Sequence, residues 1–153
     1  MPFYGGYAKW GTPVLGTTGG TVTYSTTDGT GNHFADSLNY SRSYTTADFD
    51  AALLAAFDAW ESVASIDFQL VSSSFTSDFD VLSFPMELYI AGQATLPPYT
   101  QVGTIEILPS PGNFMAFNSN SLVEWAPTAD GDPNTINFFA VAMHEIGHIL
   151  GFD

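Results

Sequence analysis

The stretch HEIGHILGFD at residues 144–153 carries more information than any other part of this chain. His144 and His148 lie four residues apart, so on a helix their side chains share one face, about 6 Å apart along the axis. Two imidazoles in that arrangement can bind one Zn²⁺ ion. Glu145 projects about 100° round the helix from His144, beside such a metal, where a general base for hydrolysis is expected.

The flanking sequence predicts the helix that this spacing requires. A turn-forming cluster at residues 130–135, DGDPNT, offers N-cap candidates, and an apolar run follows over residues 136–150. The expected buried stripe consists of Phe139, Met143, Ile146 and Leu150. Both histidines fall off this stripe and are expected to face a cleft. Gly147 predicts a close contact with another segment, and Gly151 predicts a left-handed helix end.

The simplest alternative to a metal site is that the two histidines belong to an ordinary polar helix face. Gly151 makes a chance match less frequent, because glycine makes up only about 7% of residues in proteins. The histidine spacing, the helix context and this glycine together favour zinc. The candidate metal ligands are therefore His144 and His148, and the candidate catalytic residue is Glu145.

Several segments resemble one enzyme clan. The pattern H-E-x-x-H-x-x-G resembles the metzincin pattern, H-E-x-x-H-x-x-G-x-x-H. Residues 20–25, GTVTYS, resemble the first strand of matrixin and serralysin catalytic domains, and residues 57–68, FDAWESVASIDF, resemble their first helix and second strand. The KWG at residues 9–11 is closer to serralysins. The resemblance implies a zinc metalloendopeptidase with an α+β (α/β-like) fold. Its twisted, mostly parallel five-stranded sheet has an antiparallel edge strand and packs on two long helices, the second carrying the active site.

The resemblance also carries expectations about the site and its state. It implies that Glu145 is the general base and that a protein or peptide substrate pairs with an edge strand. The third zinc histidine of the clan would fall at position 154, so we expect a domain truncated before that ligand and weak or inactive alone. The alternatives are a catalytically dead binding domain with the same fold and a zinc hydrolase of another clan. Glu145 argues against the first and Gly151 against the second.

Composition limits the class of protein. A chain of 153 residues with 45% hydrophobic residues suits one domain with a sizeable core. Sixteen acidic residues face only Lys9 and Arg42, for a net charge of −14. This balance argues against nucleic-acid and membrane partners, and it could attract Ca²⁺ as a second cofactor. No cysteine, no classical signal peptide and no membrane-spanning run are present. We expect an extracellular, secreted monomer.

The remaining segments predict the order of elements. We expect an extended N-terminal segment at residues 1–20 and the catalytic domain at residues 21–153. Strands are predicted at residues 21–25, 66–70, 79–84, 103–108 and 114–118. The segment 103–108 is the candidate substrate-binding edge, and residues 85–103 are predicted to be irregular.

A helix is predicted to begin at Thr45 or Thr46. Its expected apolar stripe consists of Phe49, Leu53, Ala56, Phe57, Trp60, Val63 and Ala64. His33 is predicted to be a plain surface histidine. Residues 130–134 are predicted to form a turn in preference to a calcium site.

Overall fold

The computed structural model describes residues 10, 18–72, 74–94 and 113–152. Its main sheet has five strands in the order β2-β1-β3-β5-β4, all parallel except for β4, which pairs antiparallel with β5. A second sheet pairs β6 with β7. The strands are β1 (Gly20–Ser25), β2 (Ile66–Leu70), β3 (Phe79–Phe84), β4 (Gly92–Ala94), β5 (Phe114–Asn118), β6 (Glu124–Ala126) and β7 (Thr135–Asn137). The helices are a 3-10 turn (Phe34–Ser37), α1 (Thr46–Glu61) and α2 (Phe138–Ile149).

This architecture confirms the predicted fold class and four of the predicted strands. β1, β2, β3 and β5 occupy the predicted segments to within one residue. The predicted extended segment at residues 1–20 and the predicted edge strand at residues 103–108 lie mainly or wholly outside the described residues. Among the described residues, no helix is long and apolar enough to cross a membrane.

The edge of the described sheet differs from the prediction. Residues 92–94 were predicted to be irregular, but they form β4, the antiparallel strand at the end of the sheet. The strand is only three residues long and contains glycine and alanine, so it carries neither the alternation nor the β-branched residues that predict a strand.

Helix α1 begins where its capping residues predict. Asp48 accepts hydrogen bonds from both the backbone N–H and the hydroxyl of Thr45, each at 2.7 Å, which closes a capping box. The helix ends at Glu61, and Val63 is 78% exposed. The prediction that Val63 extends the apolar stripe is therefore wrong, because the chain has already left the helix. The buried residues of α1 are Phe49, Ala52, Leu53, Ala56 and Phe57.

The core lies between the helices and the main sheet and is rich in aromatic rings. Phe138 at the start of α2 lies 4.4 Å from Phe117 of β5 and 5.3 Å from Phe49 of α1, measured between ring centroids. Trp125 of β6 is fully buried beside them and donates from its indole nitrogen to the carbonyl of Asn118 at 2.8 Å. These contacts fix the start of α2 against both the sheet and α1.

Candidate metal centre

Helix α2 carries the candidate site and begins later than predicted. Its N-cap is Asn137, whose side chain accepts a hydrogen bond from the backbone N–H of Ala140 at 3.2 Å. The prediction of an N-cap within residues 130–135 is wrong, because the chain forms β7 before the helix starts. Residues 130–135 do form the predicted turn, in which Asp130 accepts from the N–H of Asp132 and the hydroxyl of Thr135.

The buried face of α2 is also rotated relative to the predicted stripe. Of the four predicted residues only Ile146 is fully buried, whereas Phe139, Met143 and Leu150 are half-buried. The residues that are buried are Phe138, Ala142, Glu145, Ile146, Gly147 and Ile149. Most of the helix is apolar on every side, so periodicity alone could not select the face that packs.

The C-terminal end of α2 is fixed by the predicted glycine. Gly151 has a φ of 94°, the left-handed conformation that glycine adopts without strain. Its N–H bonds to the carbonyl of His148, and the N–H of Phe152 bonds to the carbonyl of Gly147, both at 2.9 Å. This pair of bonds is a Schellman motif. It folds residue 152 back beside the helix.

Indole rings hold the same end of the helix. A Cβ on Gly147 would lie 3.5 Å from the ring of Trp60 in α1, which confirms the predicted close contact. Trp60 donates to the carbonyl of Met143 at 3.0 Å and stacks on Phe152 with ring centroids 5.5 Å apart. Trp10 donates to the carbonyl of Ile149 at 2.7 Å. The last two turns of α2 are thus anchored from outside the helix.

The structure brings the two histidines of α2 together at their ring nitrogens. The Nε2 atoms of His144 and His148 lie 3.1 Å apart, and the rings are perpendicular. Two nitrogens bound to one tetrahedral zinc at about 2.05 Å are separated by roughly 3.3 Å, which this spacing matches closely. His148 Nδ1 lies 2.8 Å from the carbonyl oxygen of Phe152. Because a carbonyl can only accept, Nδ1 carries the proton, and Nε2 of the neutral ring presents its lone pair.

Glu145 lies beside this pair but is almost completely buried, at 4% exposure. Burial raises the pKa of its carboxyl above the ordinary value, and the neighbouring His144 and His148 oppose that rise. No donor among the described residues bonds to the carboxylate. A buried carboxylate without a described donor is costly, which makes Glu145 a candidate functional group.

Strand β4 passes directly over Glu145, a contact that the sequence did not predict. A Cβ on Gly92 would lie 2.7 Å from Glu145 Oε1 and 2.9 Å from Val141 Cγ1. Real side chains do not approach this closely, so the backbone of β4 reaches the carboxylate only because residue 92 is glycine. An isolated glycine in a strand is a signal of such close approach, but residues 85–103 were not predicted to be a strand.

The described residues fit a zinc site that takes two imidazoles from α2. No group of three or more His, Cys, Asp or Glu side chains is positioned to hold a metal within the described ranges. Zinc sites usually have at least three protein ligands, so a further ligand is required. Asp153, which follows the Schellman turn, lies outside the described residues.

The family model described as matrixin (Peptidase M10) matches residues 36–153, which is most of the chain and includes the whole of α2. The chain belongs to the matrixin family. Matrixins are zinc metalloproteases and normally bind zinc, so the predicted clan and the predicted class of metal are confirmed at the level of the family. No curated protein matches this matrixin at a significant level.

His33 is the histidine of this matrixin that lies outside α2, and its side chain has a structural role. His33 Nδ1 accepts from the N–H of Ala35 at 3.2 Å, and Nε2 lies 3.0 Å from a carboxylate oxygen of Asp50. The side chain caps the 3-10 turn in a capping box with Asp36. The prediction of a plain surface histidine is therefore incomplete, because both ring nitrogens have partners within the chain.

Proposed function

We propose that this matrixin is a zinc-dependent metalloendopeptidase in which His144 and His148 hold the metal and Glu145 is the general base. The observation that carries the proposal is the 3.1 Å separation of the two Nε2 atoms next to a buried carboxylate without a described donor. Zinc supplies Lewis acidity, which lowers the pKa of water and polarises a peptide carbonyl.

Glu145 provides the proton transfers of hydrolysis. Its carboxylate accepts a proton from the attacking water and passes it to the nitrogen of the leaving amine. Its burial directly beside His144 and His148 supports this role. His144 is exposed and the neighbouring Glu145 is buried, which supports a metal bound by the histidines beside a base protected from solvent.

The proposed substrate is a protein or peptide bound in an extended conformation. β4 is the last strand in the described sheet, and the face of the strand at Gly92 lies against Glu145 of α2. A peptide can add to the edge of such a strand through backbone hydrogen bonds. The net charge of −14 disfavours nucleic acid as a partner. We further propose that the protein is secreted and acts as a monomer.

Replacing the general base tests the assignment in the full-length protein. We expect Glu145→Gln to keep one zinc per chain, measured by elemental analysis, and to lower hydrolysis of a fluorogenic peptide about 10³-fold. Glu124→Gln, at an exposed position of β6, is the matched control and should keep both zinc and activity.

Two results would contradict the proposal in different ways. Loss of zinc from Glu145→Gln would show that Glu145 is a ligand and not the base. Full zinc content without any hydrolysis by the unmodified protein would favour the catalytically dead binding domain.

A further inference from the structure

Asn118 is a buried polar residue that the proposed chemistry does not use. It is the last residue of β5 and has no exposed surface. Every polar group in it is bonded. Its side-chain oxygen accepts from the N–H groups of Met86 and Asn120, both at 2.9 Å. Its side-chain nitrogen donates to the carbonyls of Glu87 at 2.9 Å and Ile90 at 2.7 Å.

The backbone of Asn118 is bonded as completely as its side chain. Its N–H donates to the carbonyl of Ala91 at 2.9 Å, and its carbonyl accepts from the indole of Trp125 at 2.8 Å. All four partners at residues 86–91 are backbone groups, and they belong to the connection between β3 and β4. That connection has no regular secondary structure, so it depends on a side chain for hydrogen bonds that a helix or sheet would otherwise supply.

The connection determines where β4 lies. β4 is only three residues long and pairs with β5 at its inner edge alone among the described strands. Such a short edge strand contributes few hydrogen bonds of its own, so its position follows from the segment that leads into it. Gly92 comes directly after this segment and passes over Glu145. Asn118 and the general base are therefore linked through one short stretch of backbone.

We propose that Asn118 is a positioning residue that holds β4 against Glu145 and thereby sets the edge to which the substrate binds. The proposal rests on the proposed function for the role of β4 as that edge. Only asparagine makes all four side-chain bonds, because a side chain of this length must carry an oxygen that accepts two hydrogen bonds and a nitrogen that donates two. Aspartate has the same shape but cannot donate, so it would place a charged oxygen against the carbonyls of Glu87 and Ile90. Residues of the same connection and Gln93 of β4 also line an open cavity of about 610 Å³, so its shape depends on the same contacts.

Hydrogen exchange of Asn118→Asp in the full-length protein tests this role without using activity. We expect amide exchange at residues 86–94 to accelerate at least tenfold, while exchange in α1 and the zinc content stay unchanged. The KM for a peptide substrate should rise more than kcat falls, because the base and the metal ligands remain in place. Asn113→Asp is the matched control. It makes the same charge change in the residue before β5, where the one side-chain bond to a described residue is a 3.5 Å bond to the carbonyl of Asp78.

The outcome that overturns the proposal is acceleration spread evenly over the sheet and α1, because that would show a role in global stability only. If Asn118→Asp does not fold, Asn118→Ser replaces it, since serine keeps one donor and one acceptor; the same local pattern of exchange supports the proposal and a uniform pattern overturns it. Failure of the proposed function is seen separately, as absent zinc or absent hydrolysis in the unmodified protein.

Discussion

Two regions of this chain place polar side chains in opposite situations. Near the start of α1, each key side chain has partners within the chain. His33 uses both ring nitrogens, on Ala35 and Asp50, and Asp48 accepts two hydrogen bonds from Thr45. These bonds cap the 3-10 turn and α1, and they explain the local structure completely.

On the cleft side of α2 the arrangement is reversed. His144 and His148 direct Nε2 atoms at one another across 3.1 Å, and buried Glu145 has no donor among the described residues. The backbone carbonyls at the same end of the helix accept hydrogen bonds from Trp60, Trp10 and the Schellman turn. This end of the helix is anchored firmly, whereas its two histidines face each other and, among the described residues, no donor bonds to the carboxylate of Glu145. The contrast distinguishes the proposed ligand histidines, His144 and His148, from the structural His33, which residue type alone cannot do.

The largest expected effect comes from replacing His148, a proposed zinc ligand, and it is compared with replacement of His33, whose contacts are structural. In the full-length protein His148→Ala should lose stoichiometric zinc and all measurable hydrolysis, because one of the two imidazoles on α2 is gone. His33→Ala should keep zinc and activity and lose only stability, since both of its bonds are structural. Elemental analysis and thermal unfolding measure the two quantities. Zinc loss from His33→Ala would remove the distinction on which the comparison depends.

A second test fills the space between β4 and Glu145. Gly92→Val should retain zinc but lower kcat/KM about 10²-fold, because the new side chain must displace either the carboxylate or the edge strand. Gly29→Val is the control, since the nearest atom to a Cβ there is 3.8 Å away in Phe75. Steady-state kinetics with one fluorogenic peptide compare the two variants. Normal activity of Gly92→Val would mean that the carboxylate can move freely, contrary to its burial.

A smaller effect is expected at Phe152, which contacts both His148 and the anchoring residue Trp60. Phe152 supplies the carbonyl that keeps the proton on His148 Nδ1 and stacks on Trp60. Phe152→Ala removes the stack but leaves the carbonyl on a looser turn, so zinc affinity should fall up to about tenfold. Phe75→Ala, which removes a phenyl ring that is 81% exposed, is the control. Competition with a chelator of known affinity measures the change, and equal affinity in both variants would show that the stack does not orient His148.

Sequence patterns predicted the local features of this molecule and missed those set by packing. Thr45 and Gly151 were predicted correctly because caps depend on the chemistry of adjacent residues. The buried face of α2 was predicted wrongly because the helix is apolar on nearly every side, and contacts with β5, β6 and α1 select the face.

The candidate site divides in the same way. The meeting of His144 and His148 follows from their spacing on one helix. The burial of Glu145 under Gly92 joins residues far apart in sequence, and no pattern near either residue indicates it. Likewise Asn118 resembles any strand-ending asparagine until the connection that it bonds is known.

The smallest effect concerns the fully bonded region and its response to acid. The hydrogen bonds from Thr45 hold the pKa of Asp48 below its ordinary value of about 3.9. A carboxyl with a lower pKa in the folded state stabilises the fold above the ordinary pKa, and the stabilisation is lost as pH falls through the folded value. Stability should therefore decline below about pH 4. Asp48→Asn should be less stable at neutral pH and show a shallower decline, measured by urea unfolding at a series of pH values. Asp67→Asn, at an exposed position of β2, is the control. An unchanged acid profile in Asp48→Asn would show that this capping box, although complete, contributes nothing to the pH dependence of folding.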